Sequence, residues 1–568
     1  MCGIIAIISK SENVPQHILD DILPLIKRRG PDATGTKSTI IGNGFYLHMI
    51  STVLHLQGNV ATQQPYVTAN GDFLQWNGDV FGGLEVKDGF CDTVILANCL
   101  SECANDAEIC KVFSLLHGPY AFVFFQNSTK RLYFGRDYFG RHSLLYQEGD
   151  DDFILASVAK HSTNINSNVS WKEIQADGIY VIDTQLQKCY REIKCHFWKS
   201  ITNPHCLKVD VMKQYDTGYT NKIMDSNGSA KNDHIAIDLN IETFNSSFEK
   251  VVKSQIVDKM SDLDALVAIC ESQNVWPLVD LFTNVLKKSV QRRVSNLPKY
   301  SNSHSSISIL FSGGIDCSVL ALLANEYVPI SEPINLLNVA FETLKNKNFD
   351  VPDRSTGRMS YEELSKLCPN RVWNFVEINI ELDELRETRI KRIADLTYPL
   401  TTVLDDSIGC ALWFAAYGGT IHPECKPKVV LCGMGADEQL GGYSRHRSAF
   451  ENRGWEGLGN EIMMELERIS SRNLGRDNRI IADHGTEARF PYLDENVISF
   501  LNKIPLSSKT NLNYKRGLGE KLLLRATAYN LGLRNVAVFP KRAIQFGSRI
   551  AKAECNKEKA SDICSRLL

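Results

Sequence analysis

The spacing of apolar residues divides the chain into a first part rich in strands and a later part where strands and helices alternate. The predicted strands of the first part are residues 4–8, 45–48, 120–125, 131–134 and 153–157. Apolar residues at three- and four-residue spacing predict helices at 18–25 and 93–103. Many strands with few helices favour a sandwich of two sheets with outer helices over residues 2–190.

A polar stretch separates the two patterns. Residues from about 200 to 260 are rich in Asn, Asp, Ser and Lys and have weak periodicity. Such composition is typical of a linker or a loosely ordered insertion. We therefore place a linker or insertion at 191–272 and a second domain at 273–568.

Strand-length apolar runs alternate with helical segments in the second domain. The predicted strands are residues 307–311, 334–341, 373–378 and 429–432, and the predicted helices include 278–294, 319–324 and 362–367. This alternation predicts a doubly wound parallel sheet, whose ligands bind at the carboxyl ends of the strands.

Composition and charge exclude several classes of protein. The chain has 568 residues, which suggests at least two domains, and its 43% hydrophobic and 23% charged residues are typical of a globular protein. The net charge of −3 gives no reason to expect nucleic acid as a partner. No apolar stretch approaches the roughly 20 residues of a membrane helix, and the N-terminus lacks a signal-peptide pattern. We expect no membrane partner.

The 16 cysteines are scattered and include no C-x-x-C pair, which favours reduced thiols in the cytosol. Cys91, Cys99, Cys103 and Cys110 are metal ligands by type, but their spacing fits no zinc pattern. Thiols in helix cores are the better interpretation. We expect a cytoplasmic protein.

The strongest chemical motif is Ser312-Gly313-Gly314-Ile315-Asp316-Cys317-Ser318, which lies between a predicted strand and a predicted helix. Small residues let backbone N–H groups surround an anion, and the helix N-terminus adds its positive end. The hydroxyls of Ser312 and Ser318 can donate to phosphate oxygens, and Asp316 can hold Mg²⁺. S-G-G-x-D-x-S is the pyrophosphate signature of enzymes that cut ATP between its α- and β-phosphates, and differs from a Walker A loop. The alternative is an ordinary tight turn.

A second candidate site is Cys2. Removal of Met1 would leave Cys2 with a thiol and a free α-amine, whose pKa of about 8 suits a general base. Gly3 lets a substrate approach the backbone. The alternative is a cysteine that merely begins a buried strand.

Several further motifs occur together with these two in one order. They are Arg28-Arg29-Gly30-Pro31-Asp32, Asn77-Gly78-Asp79, Gly135-Arg136-Asp137, Gly433-Met434-Gly435-Ala436-Asp437-Glu438 and Glu487-Ala488-Arg489. With Cys2 and the S-G-G-x-D-x-S loop, this order resembles the glutamine-dependent asparagine synthetase family. Three stretches indicate a divergent branch of it: Val351-Pro352-Asp353-Arg354, Asp405-Asp406-Ser407-Ile408-Gly409-Cys410 and Gln545-Phe546-Gly547-Ser548-Arg549-Ile550-Ala551-Lys552. The resemblance covers nearly all of the chain except about 190–270. It implies an N-terminal-nucleophile αββα sandwich followed by an ATP pyrophosphatase domain.

For the first domain, the resemblance implies that Cys2 attacks the side-chain amide of glutamine. The Asn77 side chain and the Gly78 N–H would form the oxyanion hole, and Asp79 and Asp92 would help to bind glutamine. An Asn-Gly hairpin turn is the alternative for 77–78. Two positions depart from the family: Ile50 stands for an arginine that grips the glutamine carboxylate, and Val94 stands for a glutamate. These departures predict either slow cleavage or an amide donor other than glutamine.

For the second domain, the resemblance implies ATP with Mg²⁺ held by Asp316 and Asp437. Lys521 matches a family lysine that stabilises charge on phosphate, although a solvated helix lysine is the alternative. The residues implied in ATP binding are Phe311, Ser312, Gly313, Gly314, Asp316, Ser318, Phe341, Cys432 and Gly433.

Two departures concern the acceptor substrate. Met434 replaces a glutamate linked to adenylate formation, and Leu404 stands near a family arginine. Asp405 and Asp406 follow immediately and are candidates to replace the missing acid in part.

The expected function is that of an ATP-dependent amidotransferase: Cys2 releases ammonia from glutamine, and the second domain adenylates a carboxylate, by analogy aspartate, to give asparagine, AMP and pyrophosphate. One alternative is a catalytically degenerate ATP-binding scaffold or regulatory protein. Another is an enzyme with a different carboxylate acceptor. The sequence leaves the oligomeric state open.

Overall fold

The computed structural model describes residues 2–87, 89–161, 170–186, 189–198, 260–298, 306–344, 347–421, 427–554 and 558–567. Most of the predicted linker, residues 199–259, therefore lies outside the described residues. Two ordered elements occupy its edges: β12 (Lys194–Phe197) pairs with the strand Gly178–Asp183, and α4 (Asp262–Ser272) packs into the core of the second half. The boundaries at 190 and 273 remain predictions.

Two antiparallel six-stranded sheets form the first half, in the orders β10-β8-β9-β1-β3-β2 and β12-β11-β7-β6-β5-β4. The strands are β1 Gly3–Ser9, β2 Ala33–Gly42, β3 Phe45–Val53, β4 Tyr66–Val67, β5 Phe73–Gly78, β6 Tyr120–Gln126, β7 Arg131–Arg136, β8 Leu145–Glu148, β9 Asp152–Ala156, β10 Lys172–Glu173 and β11 Gly178–Asp183. The helices are α1 Leu23–Arg29, preceded by a π-helical turn at Ile18–Ile22, α2 Asp92–Ser101 and α3 Asp106–Leu115.

The burial of β1 explains its uninterrupted apolar sequence. All seven of its residues are buried, although strands with one solvent face alternate apolar and polar residues. Ile4 and Ile8 contribute to the core between the two sheets, whereas Ile5 and Ile7 contribute to the core beneath the helical layer that contains α1. A further apolar cluster lies between the second sheet and α2 and α3. The αββα sandwich predicted from the sequence is confirmed.

The second half contains a five-stranded, entirely parallel sheet in the order β15-β14-β13-β16-β17. The strands are β13 Ile307–Leu310, β14 Ile334–Phe341, β15 Trp373–Ile380, β16 Val429–Leu431 and β17 Glu487–Arg489. Since β14 and β16 lie on opposite sides of β13, the strand order reverses at the carboxyl end of β13. Such a reversal is where open α/β sheets bind ligands. The predicted doubly wound parallel sheet is confirmed.

Helices cover both faces of this sheet. They are α5 Trp276–Val294, α6 Ile315–Asn325, α7 Pro352–Leu367, α8 Leu382–Thr388, α9 Ala394–Thr397, α10 Val403–Ile421, α11 Ala436–Gln439, α12 Ser444–Ile469, α13 Gly475–Ala482, α14 Glu495–Lys503, α15 Leu506–Lys509, α16 Leu522–Asn530, α17 Arg534–Ala537 and α18 Ile544–Gly547. The helix predicted at 362–367 is the last part of α7, which begins at Pro352 because proline suits the first turn of a helix. No helix among the described residues has the length and apolarity to cross a bilayer.

The two halves meet through buried charged groups. Arg141 donates to Asp137 of its own half and, across the interface, to the Glu495 carboxylate and the Leu493 carbonyl. Arg479 pairs with Glu173 at 3.0 Å. A buried charge without a partner is costly. These arginines and carboxylates therefore stabilise the interface only while both halves are in contact, because separation would remove their partners.

Candidate functional sites

Cys2 lies at the start of β1 on the wall of a cleft. Its backbone N–H donates to Asn77 Oδ1 at 2.9 Å, and Gln64 Nε2 lies 3.6 Å from its sulfur. Burial raises the pKa of the Cys2 thiol to about 11. A nearby base must therefore remove the proton before the sulfur can act as a nucleophile at neutral pH.

Asn77 and Gly78 end β5 beside the Cys2 sulfur. They pair with Ala121 and Tyr120 in the sheet, so the hairpin-turn alternative is wrong. Because Asn77 Oδ1 accepts from Cys2, its Nδ2 group is available as a donor, and this buried atom has no hydrogen-bond partner among the described residues. A Cβ on Gly78 would lie 2.7 Å from the Pro119 carbonyl oxygen, so only glycine fits. The arrangement can stabilise an oxyanion next to Cys2.

Asp79 lines the same cleft and is fixed from behind by the second half. Arg489 Nη2 lies 3.0 Å from Asp79 Oδ2, and Arg489 Nε lies 2.6 Å from Glu487 Oε1. Gln57 donates to the other oxygen of Asp79 at 2.8 Å. Burial raises the pKa of Asp79 well above its ordinary value, against the opposing effect of Arg489.

Asp92 begins α2 and also lines the cleft. Its Oδ2 accepts from the Val80 N–H at 3.0 Å. Burial raises the pKa of Asp92 to about 6, and the Val80 hydrogen bond opposes this rise. The structure thus places Cys2, Gly78, Asp79 and Asp92 in the lining of one cleft, as the sequence predicted.

The two substitutions noted in this domain lie elsewhere. Ile50 points into the core with Ile5 and Ile7 and does not line the cleft. Position 50 thus contributes no side chain to the cleft, and the loss of a carboxylate clamp there stays a prediction. Val94 lies on α2 and is not a lining residue either.

The phosphate-loop candidate connects β13 to α6 at the strand-order reversal. Gly313 has φ +76°, and a Cβ there would lie 2.5 Å from the Gly357 Cα on α7. Ser360 donates to the Gly313 carbonyl at 2.6 Å. Ser312 Oγ accepts from the Gly314 N–H at 3.4 Å. The loop thus has a fixed shape that requires glycine at 313.

Ser318 supports the anion-binding interpretation. Ser318 is fully buried in the first turns of α6, and its hydroxyl has no hydrogen-bond partner among the described residues. Buried hydroxyl groups are normally hydrogen-bonded, so an exception requires an explanation. A phosphate oxygen bound at this loop would provide that partner.

Asp316 and Asp437 are held together by one lysine. Lys521 Nζ lies 2.7 Å from both oxygens of Asp316 and 2.6 Å from Asp437 Oδ1. Lys521 is fully buried and has φ +57°, an uncommon conformation for a residue other than glycine. The alternative of a solvated lysine is therefore wrong. A Cβ at Gly442 would lie 1.9 Å from Asp437 Oδ1, so this glycine leaves room for the cluster.

A second lysine, Lys541, completes this cluster and was not found by sequence reasoning. Its ammonium contacts Asp437 and lies 3.9 Å from Asp316. Burial alone would raise the pKa of Asp437, but Lys521 and Lys541 outweigh burial and hold it below its ordinary value. Two lysines beside two aspartates make an overall neutral cluster. In a cluster of this kind, the lysines can bind the anionic pyrophosphate and the aspartates can bind its magnesium ion.

Asp316 and Asp437 fit the donor set that Mg²⁺ requires. Mg²⁺ commonly binds one or two carboxylates and takes its other ligands from water and substrate phosphates. No group of three or more His, Cys, Asp or Glu side chains that could hold a metal occurs among the described residues. A metal here would thus depend on phosphate oxygens for the rest of its ligands.

The remaining predicted ATP residues surround the same strand ends. The Phe311 N–H donates to the Leu337 carbonyl, and the Phe341 N–H donates to the Ser548 carbonyl. These two N–H groups are therefore engaged within the protein. A Cβ on Gly433 would lie 3.0 Å from the Asp316 Cβ. Cys432 is fully buried, and its N–H donates to the Arg489 carbonyl at 2.9 Å.

The suggested replacement acids are already paired. Asp405 accepts from Arg476 at 2.6 Å, and Asp406 lies 2.8 Å from Arg389. Both carboxylates are thus engaged by arginines, and their partial replacement of the acid missing at Met434 stays a prediction. Leu404 donates its N–H to the Ala560 carbonyl, and Met434 packs at the edge of an apolar cluster.

Asp353 is a buried carboxylate that the motif search noted without a role. It lies in the first turn of α7, and its Oδ2 has no hydrogen-bond partner among the described residues. Burial raises its pKa to about 7, although Arg542 and Lys541 oppose this rise. A Cβ on Gly547 would lie 1.9 Å from its Oδ1, so the motifs at 351–354 and 545–552 meet here.

Comparison with known proteins agrees with this two-part arrangement. Residues 1–203 match the glutamine amidotransferase domain family, and residues 282–456 and 449–564 match the asparagine synthase family. The chain is 40% identical to asparagine synthetase domain-containing protein 1 of Homo sapiens, with 100% of this chain and 98% of that protein covered. It is 41% identical to the protein of that name from Gallus gallus, with both chains covered in full. It is 23% identical to the glutamine-hydrolysing asparagine synthetase of Homo sapiens, covering 96% of this chain and 84% of that one.

Identity of this level over the full length shows the family directly. The order of the two matched domains agrees with the order of the Cys2 cleft and the phosphate loop along the chain. The chain belongs to the family of asparagine synthetase domain-containing protein 1, in which a glutamine amidotransferase domain precedes an asparagine synthase domain.

Proposed function

We propose that this protein is an ATP-dependent amidotransferase that adenylates a carboxylate and converts it to an amide. The bridging of Asp316 and Asp437 by the buried Lys521, at the strand-order reversal next to the phosphate loop, carries the proposal. A buried cluster of two carboxylates and two lysines has a large desolvation cost. Packing alone does not explain why these four charged side chains are buried together, whereas binding of a phosphate group with its cation does.

In the first half, Cys2 Sγ would attack the side-chain amide carbon of glutamine after Met1 is removed. The α-amine of Cys2 would take the thiol proton and pass it to the leaving nitrogen. The Asn77 Nδ2 group would donate to the oxyanion, because its partner Oδ1 is already bonded to the Cys2 backbone. Ammonia leaves, and water then hydrolyses the thioester.

In the second half, the acceptor carboxylate would attack the α-phosphorus of ATP and displace pyrophosphate. Lys521 and Lys541 would stabilise the charge that develops on the departing pyrophosphate. Asp316 and Asp437 would hold Mg²⁺, which supplies charge neutralisation on the phosphate oxygens when bound. Ammonia would then displace AMP to form the amide. Aspartate is the proposed acceptor, with asparagine, AMP and pyrophosphate as products.

The test supplies MgATP, glutamine and aspartate to the full-length protein and follows pyrophosphate and asparagine. We expect both products from the native chain and neither from a Lys521→Met variant. Ammonium chloride should support a Cys2→Ala variant, because that change removes only the nitrogen supply. Failure to form pyrophosphate with either nitrogen source would reject the proposed reaction with aspartate.

A second candidate function is nucleotide binding without turnover, in a scaffold or regulatory protein. The pairing of Asp405 and Asp406 with arginines favours it, because both carboxylates are already engaged within the protein. Saturable binding of MgATP without pyrophosphate release, and a cellular phenotype unaffected by Cys2→Ala, would support this alternative. Pyrophosphate release with another carboxylic acid would instead indicate an enzyme with a different acceptor.

A further inference from the structure

The Cys2 cleft has an unusual distribution of charge for a site that binds an amino acid. The cleft is open to solvent, and its empty volume together with the open mouth is about 410 Å³. Three of the side chains that line it are carboxylates, and none is a lysine or an arginine. The lining residues, all described by the structure, are Cys2, Val53, Leu54, His55, Leu56, Gln57, Thr62, Gln64, Trp76, Gly78, Asp79, Cys91, Asp92, Thr93 and Glu487.

One arginine behind the wall is shared by two of these carboxylates. Arg489 contacts Asp79 at 3.0 Å and Glu487 at 2.6 Å, and only 3% of its side chain is exposed. It does not reach the lining itself. Asp92 is held by a backbone N–H of Val80, which carries no net charge. With a proton on Asp79, whose pKa is raised by burial, Arg489 balances the charge of Glu487, and Asp92 leaves the cleft wall with an excess of negative charge.

This charge suits one end of glutamine and opposes the other. The α-ammonium group of an amino acid would be attracted by Asp92 and Glu487. The α-carboxylate would meet no lysine or arginine in the lining and would lie near groups of its own charge. The α-amine of Cys2 cannot serve as that cation, because the proposed reaction needs it neutral as a base. A partly buried carboxylate without a cationic partner carries a large penalty.

We propose that the donor is a glutamine whose α-carboxyl is masked as an amide or peptide bond, while its α-amine is free. This proposal rests on the proposed chemistry at Cys2 for turnover, but its test measures binding. Such a ligand presents the side-chain amide to Cys2 and an ammonium group to the acidic wall. It leaves no negative group to be buried. The substrate class is an N-terminal glutaminyl residue of a peptide, or a small glutaminyl amide.

The test uses the full-length Cys2→Ala variant, which cannot consume the ligand. Equilibrium binding of L-glutaminamide, the dipeptide glutaminylglycine and L-glutamine is measured by calorimetry under the same buffer conditions. We expect glutaminamide and the dipeptide to bind at least about tenfold more tightly than glutamine. Equal affinity, tighter binding of glutamine, or binding of none of the three would overturn the proposal.

A charge-matched pair of variants identifies the cause of the preference. Glu487→Gln removes one wall carboxylate and leaves more of the Arg489 charge uncompensated. We therefore expect the ratio of the dissociation constant of glutamine to that of glutaminamide to decrease several-fold. Asp151→Asn removes the same charge from an exposed loop residue that pairs with Lys10, and the ratio should stay unchanged. A change of equal size in both variants would contradict a role for the cleft wall.

The outcomes for binding and for turnover are separable. If native protein hydrolyses glutamine through Cys2 but Cys2→Ala binds glutaminamide no better, the inference fails and the amidotransferase proposal stands. If Cys2→Ala prefers glutaminamide while native protein releases no ammonia from it, the inference about ligand charge stands and the proposed chemistry at Cys2 fails.

Discussion

Arg489 Nη2 lies 3.0 Å from Asp79 Oδ2, so an arginine on the edge strand of the parallel sheet fixes a wall residue of the cleft in the other half of the chain. The same guanidinium holds Glu487. A change in the seating of β17 would thus change the charge and shape around Cys2. The link is an ion pair and requires no moving segment.

Replacement of Arg489 by Met should destabilise the protein strongly. Asp79 and Glu487 would remain buried without their shared cation, at a cost of about 3–5 kcal/mol. The measurement is the midpoint of urea unfolding followed by fluorescence. The double change Asp79→Asn with Glu487→Gln in the Arg489→Met background should recover part of the loss, because the unpaired charges are then absent.

The matched control for Arg489→Met is Lys10→Met, which breaks an ion pair with Asp151 whose two side chains are 62% and 76% exposed. Exposed pairs contribute little, so no measurable shift of the midpoint is expected. Equal effects of the Arg489 and Lys10 changes would contradict the importance of burial.

Ser318→Ala should weaken ATP binding without lowering stability. The Ser318 hydroxyl has no protein partner to lose among the described residues, whereas a bound phosphate would lose one hydrogen bond, about 1 kcal/mol or roughly fivefold in affinity. Calorimetry with MgATP and the unfolding midpoint give the two quantities. Ser360→Ala is the contrasting variant, because it removes the 2.6 Å bond to the Gly313 carbonyl and should lower stability as well.

Gly313→Ala should be more damaging than the same change at Gly44, which has the same φ. Gly313 and Gly44 both have φ +76°, so alanine costs about 1–2 kcal/mol at either from conformation alone. Only at Gly313 would the new Cβ collide with the Gly357 backbone, at 2.5 Å. Thermal unfolding should separate the variants, and equal shifts would mean that the loop adapts without cost.

Asp353→Asn should stabilise the protein at high pH and have little effect at low pH. Burial raises the folded-state pKa of Asp353 from 3.8 to about 7, so stability from its protonated form is complete below pH 4 and is lost as the pH rises through 7. Asparagine cannot ionise, and the gain at pH 8 should reach up to about 4 kcal/mol. Urea unfolding at pH 4.5 and pH 8 tests this, and a gain that is equal at both values would refute it.

The Cys2 thiol should react slowly with iodoacetamide at neutral pH while Met1 is retained. With its pKa raised to about 11, the thiolate fraction rises about tenfold per pH unit between pH 7 and 9. Mass analysis of the labelled N-terminal peptide gives the rate. A short cysteine peptide blocked at both ends, with an ordinary pKa near 8.5, should instead level off above pH 9. A plateau for Cys2 below that pH would show an activated thiolate.

The sequence predicted the sandwich of the first half and the parallel sheet of the second, because apolar runs extend over most of the length of the predicted strands. β1 and β14, for example, are buried along their entire length, and the polar residues within them are Ser9 in β1 and Asn335 and Asn338 in β14. β17 was not predicted, since its three residues, Glu487 to Arg489, include two charged ones. Their burial depends on ion pairs formed across the interface, which periodicity cannot show.

The site residues divide in the same way. Asp316, Asp437 and Lys521 were found from motifs, and the structure places Lys521 within hydrogen-bond distance of both aspartates. Lys541 gave no signal, because a lysine beside an arginine in an extended segment resembles solvent-exposed sequence. The sequence alone could not show that Ile50 packs in the core with Ile5 and Ile7, because the face on which each residue of β3 lies depends on the register of the sheet.

The arginine contacts of Arg141 and Arg479 impose a condition on how such a chain can change over time. Each half supplies the counter-charges that make the other half's buried side chains tolerable. A lineage that ceased to need one of the two reactions would still have to keep the corresponding half, since its deletion would leave those charges without partners. Erosion of catalytic side chains would then precede loss of the domain, and an inactive half would persist as a folding partner.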